Sequence, residues 1–90
     1  MSAIVLPATM DKGSIPLVAR ELMELCDKGE AIAIDGSKVS RIGLAGLQLL
    51  ASGALTAQER GVDFKVTSAS DELMGAASLS GLSTMFGLAA

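Results

Sequence analysis

Any chemistry in this chain of 90 residues would fall to one thiol, seven basic and ten acidic side chains and a set of Ser and Thr hydroxyls, because there is no histidine. Ser-His-Asp and Cys-His nucleophile systems need an imidazole to take and return a proton, and the usual imidazole metal sites need it as a ligand. Both classes are excluded. No G-x-S-x-G elbow, Walker A lysine or G-x-G-x-x-G turn occurs either. The expectation is a protein that is not an enzyme and holds no metal or cofactor. Cys26 falls on the apolar side of a helical pattern and reads as a core thiol.

What the chain does offer is backbone. In the stretch Val39 to Leu50, Gly43 and Gly46 sit where an extended segment turns into a helix. Such a corner leaves helix-start N–H groups uncovered, so it suits either an anion or a closely approaching protein. Only Arg41 is near enough to clamp a phosphate, which favours a protein partner and leaves a nucleotide or small anion as the alternative. Ser37 and Ser40 lie in the polar link just before; serines there usually serve the turn itself, with modification as the other reading.

Half the residues are hydrophobic and only Phe64 and Phe86 are aromatic, so the core must be built from Ala, Leu, Ile, Val and Met. The net charge is −3 and the basic residues are scattered, which argues against nucleic acid. A lone cysteine and no signal peptide point to a reducing cytoplasm. The most apolar run, Ile42 to Leu55, is interrupted by Gln48 and Ser52 and falls short of the roughly 20 residues a spanning helix needs. It reads as a buried helix with no direct membrane insertion.

The elements that must position the corner follow in order. Ala3 to Pro7 reads as a first strand and Thr9 to Gly13 as a loop. Ser14 reads as an N-cap with Pro16 in the first turn of a helix from Ile15 to Lys28, stopped by Gly29. Its apolar stripe is Ile15, Val18, Ala19, Leu22, Leu25 and Cys26. Ala31 to Asp35 is apolar on both faces, as a central parallel strand should be. The next helix runs from about Leu44 to Arg60, with Leu44, Leu47, Leu50, Ala51, Ala54 and Leu55 expected inside and Ala45, Leu49, Ser52, Thr56 and Glu59 outside. Leu49, with Ala45 and Gly53 one turn to either side, then forms a small apolar patch toward water. Val62 to Thr67 alternates as a third strand; Ser68 or Ser70 caps a helix from Asp71 to about Leu79, and Ser83 to Leu88 is a last short helix or a frayed tail. The sum is an α/β chain of β-α-β-α-β-α order, one domain over residues 1–90, with a small, mainly parallel sheet flanked by helices. Strand order is not legible.

Ile32-Ala33-Ile34-Asp35-Gly36-Ser37-Lys38-Val39-Ser40-Arg41-Ile42, then Gly46-Leu47-Gln48-Leu49-Leu50, then Arg60-Gly61-Val62-Asp63-Phe64-Lys65-Val66, resembles a STAS domain. Leu6 to Asp11 is similar to the family's first strand and turn, and Leu73 to Phe86 to its closing helix and Ser-Gly-Leu segment. The family includes anti-anti-sigma factors, the cytoplasmic tails of sulfate transporters and an accessory subunit of a bacterial phospholipid-transport ABC complex. Members often begin the second helix with Asp-Ser-Ser-Gly or Asp-Thr-Gly-Gly, and in anti-anti-sigma factors the hydroxyl before the final glycine is phosphorylated. Aligned on Gly46, this chain has Gly43-Leu44-Ala45-Gly46, so the phosphoacceptor position is Ala45, which has no oxygen to modify.

The resemblance implies a bacterial signalling adaptor of the anti-sigma factor antagonist kind. Its partner would be a kinase-like anti-sigma factor or a chemotaxis protein, since glycine in place of the aspartate followed by Leu-Gln-Leu-Leu is similar to stand-alone STAS proteins of chemotaxis clusters. The partner-binding residues implied are Arg41, Gly43, Leu44, Ala45, Gly46, Leu49, Ser52 and Gly53. The alternative partner is an ABC transporter ATPase.

Overall fold

The structure is a computed structural model that describes residues 2–88. In chain order its elements are β1 (Ser2–Val5), β2 (Thr9–Met10), α1 (Ile15–Lys28), β3 (Ile32–Gly36), β4 (Arg41–Ile42), α2 (Leu44–Glu59), β5 (Phe64–Ala69) and α3 (Asp71–Leu79). The main sheet is parallel in the order β1-β3-β5, and β2 pairs with β4 in a separate parallel pair. This is the expected α/β domain with a small parallel sheet. The β2–β4 pair is an addition: Thr9 lies opposite Arg41 and Met10 opposite Ile42, where a loop was expected at Thr9. Strands of two residues carry no periodicity to read.

Central placement explains the composition of β3. Ile4 and Val66 both pair with Ile34, giving one apolar row across the sheet. The alternate row is Ala3, Ala33 and Lys65, of which only Ala33 is buried. β5 starts later than its alternation suggests, because Val62 stays in the turn after α2, donating its N–H to the Ala57 carbonyl at 2.8 Å. A bulge then follows: Ile34 faces Val66 but Asp35 faces Ser68, leaving Thr67 as the extra residue.

α1 has the expected bounds, with Val18, Leu22 and Cys26 buried and Gly29 in the left-handed region at φ 70°. Ser14, expected to cap it, does not. Its hydroxyl instead donates to the Thr9 carbonyl at 2.8 Å and accepts from the Asp11 N–H at 3.0 Å, tying β2 to the helix start. α3 is capped by Ser70, whose Oγ accepts from the Leu73 N–H at 3.1 Å.

α2 is rotated from the expected phase. Gly46, Leu47, Leu50, Ala54 and Ala57 are buried, whereas Leu44 and Leu55 are exposed by 69% and 49%. Leu49, expected toward water, is half-buried against the core. The helix has no charged residue before Glu59, so no polar face marked where its inside was. α1 and α2 pack side by side, and an ion pair from Arg60 to Asp27 joins their C-terminal ends.

The residues after α3 form turns rather than a helix, and they are no frayed tail. Phe86 is wholly buried, and its carbonyl accepts the Val66 N–H at 2.9 Å.

Candidate partner-binding site

Arg41 and Gly43 reach one corner because the chain ahead of α2 is tied down. The Ser40 and Arg41 N–H groups both donate to the Ala8 carbonyl, at 2.8 and 3.1 Å, and the Ser40 hydroxyl donates to it at 3.1 Å. Ser37 is also engaged: its hydroxyl donates to Asp35 Oδ1 at 2.6 Å and its N–H at 3.0 Å, and these bonds hold the Asp35 carboxyl below the usual range. Both serines therefore have the turn roles expected of them.

Gly43 ends this segment in extended conformation (φ −100°, ψ −173°) and accepts the Leu47 N–H at 3.2 Å. It brings no side chain to cap the helix, and the space where a Cβ would stand is empty. Leu44 and Ala45 follow, both exposed. Gly46 does not share that corner. It is buried, and an added Cβ would lie 2.9 Å from Ile42 Cγ1 and 3.2 Å from Met10 Cβ. The missing side chain lets the first turn of α2 seat on the β2–β4 pair. Gly46→Val is expected to destabilise the fold by about 1–3 kcal/mol through overpacking, read as a lower urea midpoint at unchanged slope.

The other expected site residues divide as well. A Cβ on Gly53 would stand 3.2 Å from Leu22 Cδ1, so Gly53 sets the approach of α2 to α1. Leu49, Ser52 and Gly53 line a groove of about 130 Å³ between these helices, with Met23 and Thr56. Of the three only Ser52 is exposed. The structure thus gathers Arg41, Gly43, Leu44 and Ala45 at one place, puts Ser52, Leu49 and Gly53 along the α1–α2 groove, and turns Gly46 inward.

Two shallow depressions meet at the corner and share Ile42 and Gly43. One, of about 620 Å³, is bounded by Thr9, Met10, Asp11, Ser40, Arg41 and Glu72. N–H groups of Ser14 and Gly13 hold the Asp11 carboxyl below its ordinary range, so it is charged at neutral pH. Two carboxylates and one guanidinium line this depression, a balance of charge that does not favour a phosphate. The other depression, of about 320 Å³, is apolar: Leu44 and Leu47 on one side, Ala76 and Leu79 on the other. Leu79 is 93% exposed. Sequence reasoning missed it, because α3 has nine residues and apolar side chains on several sides, and its stripe was not assigned. The signal was present, since a terminal leucine before Ser80-Gly81 has little left to pack on.

Among the described residues no cluster of His, Cys, Asp or Glu could hold a metal ion, and no helix is long and apolar enough to cross a membrane. A family model described as "Mlab, STAS domain" matches residues 2–88. No curated protein matches the chain.

Proposed function

Because the chain belongs to the STAS domain family, we propose that it is a non-catalytic cytoplasmic adaptor of the anti-sigma factor antagonist kind, docking a protein partner at the start of α2. The surface comprises Arg41, Gly43, Leu44 and Ala45, with Ser52 farther along the helix and Leu49 and Gly53 at the groove rim. One observation carries the reading: Leu44 stands exposed at an uncharged helix start, beside the still more exposed Leu79. Large apolar side chains grouped in this way mark contact sites.

Ala45 sets the manner of binding. A phosphate there would bring about −1.5 to −2 charges to the corner and repel or re-dock a partner. With a methyl group in that place the surface is always available, and regulation lies with the partner. The partner classes are a kinase-like anti-sigma factor or a chemotaxis protein.

The same methyl group favours a second reading, a permanent accessory subunit seated on a transporter ATPase, for which no switch is needed. Co-purification from the native cell, with wild type and Leu44→Asp as baits, separates the two by the mass of what is captured. Leu44→Asp is expected to weaken binding by more than about 1 kcal/mol while leaving thermal unfolding unchanged, since the side chain packs on little. Equal capture by both baits defeats the reading.

A further inference from the structure

The outer side of α2 has an order of its own. Leu44, Gln48, Ala51, Leu55 and Gln58 follow one another at spacings of four, three, four and three residues. That is the seam spacing of a helix pair that meets along heptads. Leu44, Gln48, Leu55 and Gln58 are exposed, and Ala51 between them is half-buried, packed against the core of its own domain. From Leu44 to Gln58 it is about 21 Å long.

We propose that this seam pairs with the same seam of a second copy of the chain, the two α2 helices lying antiparallel across a two-fold axis. A two-fold interface sets a surface against itself, so a charged face would repel its own copy. This seam carries no charge. Its polar members are Gln48 and Gln58, and an amide both donates and accepts, so these side chains suit a self-complementary contact. With the axis between Gln48 and Ala51, Leu44 meets Leu55 of the second copy and Gln48 meets its Ala51, whose small side chain lets the helices come close. Charge supplies the register. Arg41, just ahead of the helix, then stands at the end where Glu59 of the second copy lies. Both are exposed, and neither forms an ion pair within its own chain among the described residues. Such pairs at the ends of a seam set orientation.

This inference rests on the seam and its charges, not on the reading of an adaptor, although Arg41 and Leu44 belong to both surfaces and self-pairing would compete with a partner there. Sedimentation of the purified chain over a concentration series, with no other protein present, tests it. The expected result is a monomer–dimer equilibrium. Leu55→Arg weakens it about tenfold or more. Arg41→Glu and Glu59→Arg each weaken it, and the double exchange restores it. A monomer at every concentration overturns the proposal. So does a dimer indifferent to Leu55→Arg, or single charge variants that the double exchange does not rescue. Circular dichroism of each variant confirms that it is folded, and none of these outcomes bears on whether Leu44→Asp loses a separate partner.

Discussion

Phe86→Ala is expected to be the most damaging single substitution, lowering stability by about 3–5 kcal/mol. Phe86 is the largest of the wholly buried side chains, and truncating it opens a cavity among Val66 and its neighbours in the main core cluster. The loss goes beyond packing volume. The Phe86 carbonyl accepts the Val66 N–H on the side of β5 away from β3, so the closing turn also covers the outer edge of the sheet. An uncovered edge offers its backbone groups to other chains. Urea unfolding should therefore show a much lower midpoint, and the variant should aggregate more readily than wild type. Stabilities of whole domains are about 5–15 kcal/mol, so a third or more of the total is at stake. A midpoint close to that of wild type would mean the closing turn is not part of the core.

Leu50→Ala comes next, at about 2–5 kcal/mol, against little change for Leu55→Ala. Leu50 is completely buried at the centre of the α2 contact, whereas Leu55 is about half exposed. Both were expected inside on spacing alone. Comparing the two in one unfolding series therefore reads the rotation of α2 directly. Equal losses would restore the phase expected from the sequence and remove the exposed seam with it.

These two substitutions also mark what was legible. α1 and β5 could be read because polar residues separate their faces, and Arg20, Glu21, Glu24 and Asp27 define the outside of α1 by themselves. α2 offers no such contrast. Its inside was set by two glycines that no hydrophobicity pattern counts, Gly46 against Met10 and Ile42 and Gly53 against Leu22. The contacts with Met10 and Leu22 are long-range, and the β2 strand that makes one of them has only two residues. The corner at Arg41, Gly43, Leu44 and Ala45 was legible because a local turn into a helix forms it. Leu79 reaches that corner only through the packing of α3 beside β4, which the sequence does not record. Strand order was hidden for the same reason, being a property of crossovers and not of residues.

A partner that binds at the α2 corner must feel a charge placed on Leu44. The most direct measurement is a calorimetric titration of the captured partner into wild type, Leu44→Asp and Leu17→Asp. Leu17 is a fair control, being 63% exposed on α1 and lining neither depression at the corner. Leu17→Asp is expected to bind as wild type does and Leu44→Asp to be weaker by about tenfold or more, equivalent to about 1.4 kcal/mol. Unchanged affinity for Leu44→Asp, or an equal loss in both variants, would contradict binding at that corner.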